Sequence, residues 1–143
     1  MRTVSPDFLN DLRRLALFAD LSRAELRAIA GRCEEVFFGA GEWIIRQGEK
    51  GSAVYAILDG EVAVVIDDED RRVLSMGAFF GEISVLLEEP ASASIVTRTA
   101  VRCLVVPGEQ FGPFLLAHPE VMYRVLKAEA RRLATVSASE WHT

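Results

Sequence analysis

The sequence lacks the residues that would indicate a disulfide-stabilised, metal-binding or membrane-spanning protein. It has two cysteines and two histidines in 143 residues. Cys33 and Cys103 stand far apart in apolar stretches, without a second ligand at metal-binding spacing, so we expect two buried, reduced thiols. The longest stretch without an acidic or basic residue is ten residues, 110–119. Because a membrane helix needs about 20 apolar residues, the sequence predicts no membrane span.

Basic charge is also scarce. The 16 Lys and Arg residues are outnumbered by 21 Asp and Glu residues, which gives a net charge of −5. A duplex-binding protein needs a basic patch to neutralise phosphates, so we expect no direct DNA binding by this chain. The first residues lack the apolar segment of a signal peptide, which predicts a cytoplasmic location.

The positions of the histidines argue against an enzyme. His118 and His142 both follow the last predicted strand, whereas metal-dependent enzymes built on a β-barrel need several histidines inside it. A nucleophilic serine or cysteine would likewise have no histidine base in the strand region. We therefore predict a non-catalytic protein with no metal and no cofactor.

The residues that are present predict one compact domain, 1–143, because half of them are hydrophobic and 26% are charged. Apolar residues recur at helical spacing in 1–35 and 107–143, and with period two between glycines in 36–106. The pattern predicts a mainly β fold, an antiparallel jelly-roll β-barrel with N-terminal helices and a long C-terminal helix. The acidic run 67–70 is predicted to form a hairpin tip.

The C-terminal helix carries two adjacent apolar lines. One contains Val121, Val125 and Ala128, and the other contains Met122, Leu126, Ala130 and Leu133. Either both lines pack on the barrel of the same chain, or one meets the same helix of a second copy. The second alternative predicts a homodimer through helix 119–137.

Chemistry is concentrated in residues 74–95. A strand ends at Gly77, Gly81 allows a turn, and a helix of barely two turns follows within the segment 81–87. Free amides at a helix start attract a phosphate or a carboxylate. Glu82 is an anion in the same place, and it would serve best as the acceptor for a sugar hydroxyl.

This segment resembles the phosphate-binding cassette of the cyclic nucleotide-binding domain family, and flanking motifs extend the resemblance over essentially the whole chain. The matching cassette residues are Phe80, Gly81, Glu82, Ile83, Ser84, Leu86, Ser92 and Ala93. The resemblance implies that cAMP or cGMP is the candidate ligand. It also implies that Ser137, on a helix like that of the catabolite-activator regulators, lies near the purine, although a surface serine at a helix end is the other interpretation.

One position departs from the family pattern. Ala91 stands where the family has the arginine that binds the cyclic phosphate. A charge-assisted hydrogen bond contributes roughly 1.5–3 kcal/mol, so its loss is expected to weaken binding about tenfold to a hundredfold or more. The amides of residues 81–84 and the Ser92 hydroxyl remain.

Two functional hypotheses follow. The first is a regulatory module that binds a cyclic nucleotide or another small anion, weakly for lack of the arginine, and signals through its C-terminal helix. The second is a degenerate domain that no longer binds ligand and acts in protein interaction or dimerisation. Glu82 favours the first hypothesis and Ala91 favours the second. In both, the output lies in another domain or protein, because residues 1–143 are filled by the predicted barrel and helices.

Overall fold

The computed structural model describes the backbone of residues 6–141 and the side chains of residues 7–135. The helices are α1 (Pro6–Arg13), α2 (Arg23–Ala30), α3 (Glu82–Leu87), α4 (Gly108–Ala117) and α5 (Pro119–Trp141), with a 3-10 turn at Ala16–Phe18. The strands are β1 (Glu34–Phe38), β2 (Trp43–Ile45), β3 (Ala53–Asp59), β4 (Val62–Ile66), β5 (Glu69–Leu74), β6 (Phe79–Phe80), β7 (Ser94–Thr97) and β8 (Val101–Pro107). The predicted division of the chain at residues 35 and 106 stays a prediction.

The strands form two antiparallel sheets of four, in the orders β1-β8-β3-β6 and β2-β7-β4-β5. This arrangement, with helices before, within and after the strands, confirms the predicted fold class. Strand β3 is buried on both faces because its alternate residues point to different cores. Ile57 packs between the two sheets, whereas Val54 and Leu58 pack under the helices.

Both cysteines are buried, as predicted. Cys103 belongs to the core between the sheets and Cys33 to the core under the helices. Burial raises the pKa of the Cys103 thiol to about 12, so this thiol stays protonated at neutral pH and is chemically inert.

The acidic hairpin is tighter than predicted. Only Asp67 and Asp68 form the turn, with φ of 52° and 65°, and Glu69 and Asp70 already belong to β5. Aspartate tolerates the left-handed conformation that such a turn requires. The prediction that all four residues lie at the tip was therefore wrong for the last two.

The two apolar lines of α5 have different surroundings. Val121 and Val125 are buried and Ala128 packs against the same core, whereas Leu126 and Leu133 are 62% and 67% exposed. The alternative in which both lines pack on the chain's own barrel is therefore wrong. Arg124 holds the helix in place, because its guanidinium donates to three main-chain carbonyls in and beside the 3-10 turn, at 2.8–3.3 Å. Among the helices of residues 6–141, none is long and apolar enough to cross a membrane.

Candidate ligand-binding site

A cavity of about 580 Å³ opens between the second sheet, helix α3 and helix α5. Its apolar wall comes from strands of both sheets and its polar wall from α3, the segment before β7, β5 and α5. Its lining includes Ile45, Val64, Arg71, Arg72, Phe79, Phe80, Gly81, Glu82, Ile83, Ser84, Ala91, Ser92, Ala93, Ile95, Arg131, Arg132 and Thr135. A cavity of this size with an apolar wall and a few polar groups is typical of a small-molecule site.

Gly81 determines where α3 begins. Its φ of +88° is a conformation that residues with a side chain rarely adopt, and a Cβ there would lie 2.7 Å from the Ala53 carbonyl oxygen. The preceding Phe80 ring stacks on Tyr55, with 5.1 Å between the ring centroids. The start of α3 is therefore held tightly against β3.

Ser84 has a structural contact that the sequence did not reveal. Its buried hydroxyl donates to the Glu89 carbonyl and accepts from the Gly51 amide, at 2.5 Å and 3.1 Å respectively. The Ser84 side chain thus ties α3 to the loops on either side of it. Its hydroxyl is already engaged, which leaves the main-chain amide as the group that Ser84 offers to a ligand.

Glu82 lies at the start of α3 and is only 2% exposed. One carboxylate oxygen accepts a hydrogen bond from the Arg132 guanidinium at 2.8 Å, and Arg132 also binds Glu129 at 3.2 Å. Burial and the neighbouring Glu129 carboxyl raise the pKa of Glu82 to about 7, and Arg132 opposes the shift. The raised pKa favours the protonated form of this carboxyl, which donates a hydrogen bond as well as accepting one.

Arg132 joins α5 to the cassette. Besides its bond to Glu82, the guanidinium donates to the Phe79 carbonyl at 3.1 Å and lies 4.6 Å from the centroid of the Phe79 ring. A guanidinium over an aromatic face adds a cation–π attraction. Through the Arg132 side chain, α5 consequently contacts both strand β6 and the buried Glu82 carboxyl at the start of α3.

Ala91 is buried against the cavity, and its backbone is fixed on both sides. Its amide donates to the Glu49 carbonyl at 2.9 Å, and its carbonyl accepts from the Gly48 amide at 2.8 Å. Ser92 beside it is exposed to the cavity, and within the described part of the chain its hydroxyl has no hydrogen-bond partner. The Ser92 hydroxyl is available to bind a ligand, whereas the methyl group of Ala91 supplies no charge.

Comparison with known proteins identifies the family. The model of the cyclic nucleotide-binding domain matches residues 35–118. The chain belongs to this family. A cGMP-dependent protein kinase of Plasmodium berghei is 33% identical over 116 residues, which is 81% of this chain and 14% of the kinase. The corresponding kinase of Caenorhabditis elegans is 33% identical over 114 residues, 75% of this chain and 15% of the kinase. The chain thus spans about one seventh of the length of these relatives.

Solved structures agree with the family assignment. The catabolite activator protein of Thermus thermophilus aligns with a TM-score of 0.78 and 26% identity, covering 86% of this chain and 60% of that one. The regulatory subunit of a cAMP-independent protein kinase A from Trypanosoma brucei aligns with a TM-score of 0.74 and 26% identity, covering 87% of this chain and 45% of that one.

The structure brings most of the predicted cassette residues of this cyclic nucleotide-binding domain together at the cavity. Leu86 is the exception, because it is 47% exposed and does not line the cavity. The predicted residues that do line it are Phe80, Gly81, Glu82, Ile83, Ser84, Ala91, Ser92 and Ala93. The side chain of Ser137 lies outside the described residues, so its predicted place near a purine stays a prediction. Glu88 and Glu89 are exposed and do not line the cavity, so they do not add negative charge to it.

Sequence reasoning missed the arginines. The amides of residues 81–84 and the Ser92 hydroxyl were the polar groups that the sequence predicted for a phosphate, but Arg71, Arg72, Arg131 and Arg132 also line the cavity. Arg131 and Arg132 lie off the two apolar lines of α5, and helical periodicity shows which residues share a face but not which neighbour that face meets. Thr135, one turn after Arg131, was missed for the same reason. Within residues 7–135, whose side chains are described, no group of His, Cys, Asp or Glu is arranged to hold a metal ion.

Proposed function

We propose that this domain is a regulatory module that binds a cyclic nucleotide in the cavity and transmits binding through α5. The observation that carries the proposal is the Glu82 carboxyl, which is buried at the start of α3 and bonded to Arg132 of α5. A buried carboxyl with a raised pKa, in a cavity rather than a core, is a feature of functional sites. Contact with a ligand at Glu82 therefore acts directly on the helix.

The cavity offers a complementary partner to each part of a cyclic nucleotide. The main-chain amides at the start of α3 and the Ser92 hydroxyl accommodate the cyclic phosphate. The Glu82 carboxyl accepts the hydrogen of the ribose 2′-hydroxyl. The apolar wall, including Val64 and Ile95, covers a face of the base. Ala91 leaves the phosphate without its usual arginine, which makes this binding weak.

Signalling requires that the ligand bind one arrangement of α5 better than another, because equal affinity shifts no equilibrium. Arg132 is the residue through which the ligand's affinity differs between the arrangements of α5. A ribose hydroxyl at Glu82 competes with or adds to the guanidinium bond, and either outcome changes how firmly α5 is held against Phe79. Arg124, at the other end of the described part of the helix, keeps α5 attached to the 3-10 turn.

Calorimetric titration with cAMP and cGMP tests the proposal. We expect saturable binding of at least one nucleotide with a Kd of about 1 mM or less, and a loss of about tenfold in Glu82→Gln, because the charge of the acceptor is removed. Glu61→Gln is the matched control, since Glu61 is exposed and lies outside the cavity. The proposal is wrong if folded wild-type protein gives no heat with either nucleotide at several millimolar.

The second candidate is a degenerate domain that acts in protein interaction without a nucleotide. Ala91 favours it, because the cavity lacks the family's phosphate-binding arginine. The fold also occurs in a protein kinase A that is described as cAMP-independent. The titration separates the two candidates, since the degenerate domain is expected to bind no nucleotide in the cavity. In either case we propose a non-catalytic, cytoplasmic domain without direct DNA binding.

We also propose that α5 forms a homodimer contact through its exposed apolar line. Leu126 and Leu133 are more than half exposed and Met122 is 37% exposed, and their separations of four and seven residues are those of a helix seam. Sedimentation equilibrium is expected to show a monomer–dimer transition at micromolar concentration, and Leu126→Lys to abolish it. Leu116→Lys is the control, because Leu116 is 74% exposed but lies on α4. A wild-type monomer at hundreds of micromolar contradicts this contact.

A further inference from the structure

Two carboxyl groups meet at one nitrogen atom of Arg132. Its Nη1 atom donates to Oε2 of Glu82 at 2.8 Å and to Oε1 of Glu129 at 3.2 Å. Because both oxygens bond to the same atom, they lie within about 6 Å of each other. Glu82 belongs to α3 and Glu129 to α5, so this acidic pair joins the cassette to the C-terminal helix.

The charges of this cluster do not balance when both carboxyls are ionised, because Arg132 supplies one positive charge against two negative charges. The Glu82 side chain is 3% exposed and the Glu129 side chain is 23% exposed. Two like charges this close in a water-poor site resist double ionisation, and the more buried carboxyl keeps the proton. Burial and the Glu129 carboxyl accordingly raise the pKa of Glu82 to about 7, although Arg132 opposes this.

The surroundings of Glu82 offer no second ion pair that would replace this proton. Among the described residues, Arg132 is the cation that pairs with Glu82, and its Nη2 atom is bonded to the Phe79 carbonyl of β6. Helix α4 and strand β3 pack against α3 and place no charged side chain among the described lining residues. The other charged residues that line the cavity are Arg71, Arg72 and Arg131. None of these three forms an ion pair with Glu82 within residues 7–135.

We infer that Glu129 is a positioning residue for the nucleotide: it keeps a proton on Glu82 in the free protein, and a ribose 2′-hydroxyl that donates to Glu82 expels this proton to solvent. The inference rests on the proposed function, because it takes Glu82 to be the acceptor of that hydroxyl. A carboxylate accepts a hydrogen bond more strongly than a carboxylic acid does, so bound ribose favours the ionised form. The proposed module is thereby regulated by pH as well as by nucleotide.

Nucleotide affinity is expected to fall with pH, because a proton must leave Glu82. The pKa of Glu82 is about 7 in the free protein and lower in the complex, so full affinity is reached above pH 7 and is lost as the pH falls below it. For the better-bound of cAMP and cGMP, we expect calorimetry to give about tenfold weaker binding at pH 6 than at pH 8. The cyclic phosphodiester keeps its single negative charge over this range.

The released proton can be counted directly. Titrations at pH 6.5 in PIPES and in imidazole, whose ionisation enthalpies differ, are expected to show the release of about half a proton or more per nucleotide. Wild-type protein alone suffices for this measurement. Binding without proton release, at equal affinity at pH 6 and pH 8, would overturn the inference.

Glu129→Gln is the variant that identifies the source of the effect. It removes the neighbouring negative charge and supplies an amide that donates to a carboxylate, so we expect the difference in affinity between pH 6 and pH 8 to shrink to about twofold. Glu120→Gln is the matched control, since Glu120 also bonds to an arginine of α5, at 2.9 Å, but lies outside the cavity. The control is expected to keep the tenfold difference.

A carbon-13 NMR titration of the side-chain carboxyls detects the proton on Glu82 without any nucleotide. The Glu82 signal is assigned by its absence from Glu82→Gln. We expect its midpoint near pH 7 in wild type and in Glu120→Gln, and about one pH unit lower in Glu129→Gln. The same midpoint in wild type and Glu129→Gln would show that Glu129 does not hold the proton, and the inference would be wrong.

The failure of this inference is distinguishable from that of the proposed function. If a nucleotide binds but its affinity is independent of pH, the proposed function stands and the inference is overturned. If wild type binds neither nucleotide at pH 8, the proposed function fails and the inference fails with it. Thermal unfolding of each variant verifies that the protein is folded.

Discussion

Substitution of Gly81 by alanine is expected to lower the free energy of unfolding by about 3–5 kcal/mol, whereas the same change at Gly48 is expected to cost about 1–2 kcal/mol. Both glycines have a φ of +88°, so both substitutions carry the same cost of a left-handed alanine. They differ in their surroundings. The added Cβ lies 2.7 Å from the Ala53 carbonyl oxygen at Gly81, and it meets nothing within 4 Å at Gly48.

The contact at Gly81 is difficult to relieve because the atom that the new Cβ meets is a main-chain oxygen of Ala53, which cannot rotate away as a side chain could. Its strand pairs with both β6 and β8, so either α3 must move outward or β3 must bend. Urea denaturation of the two variants gives the difference directly. Equal losses for the two glycines would show that the close approach at Gly81 relaxes without cost. Outward movement of α3 would also displace the amides that face the cavity, so we expect Gly81→Ala to lose nucleotide binding as well.

The replacement Ala91→Arg is expected to raise affinity for a cyclic nucleotide about tenfold to a hundredfold or more. The physical reason is one charge-assisted and often bidentate contact to the cyclic phosphate, worth roughly 1.5–3 kcal/mol per hydrogen bond. The site can accept the side chain, because Ala91 lines a cavity of about 580 Å³. Its backbone is already held by Gly48 and Glu49.

Calorimetry on wild type, Ala91→Arg and Ala40→Arg measures this gain. Ala40 is exposed in a turn outside the cavity, so Ala40→Arg adds the same charge without the contact. A gain in both variants would indicate a nonspecific effect of net charge. No gain in Ala91→Arg, with the protein folded, would show that the cassette does not present a cyclic phosphate to position 91.

The fold class and the cassette were predictable because their signals are local. Period-two runs bounded by glycines predicted strands in the segment 36–106, which contains almost all residues of the observed strands. The two-residue strand β6, Phe79–Phe80, was not predicted as a strand, since it is too short to show a period and exists only through its pairing with β3. The sequence predicted a hairpin turn in the segment that contains Asp67 and Asp68. The number of residues in that turn depends on the register between β4 and β5.

The sequence by itself determined the antiparallel barrel, the family, the turn before α3 and the absence of the phosphate-binding arginine, because each follows from residues close together in the chain. Tertiary structure decided the rest. The Ser84 side chain connects two loops by hydrogen bonds, and one apolar line of α5 is exposed. Arg132 met Glu82 fifty residues away, and Arg72 and Arg131 came to line one cavity. These contacts join elements that are distant in sequence, so periodicity and motif spacing carry no information about them, and only the packing of the helices, strands and loops against one another creates them.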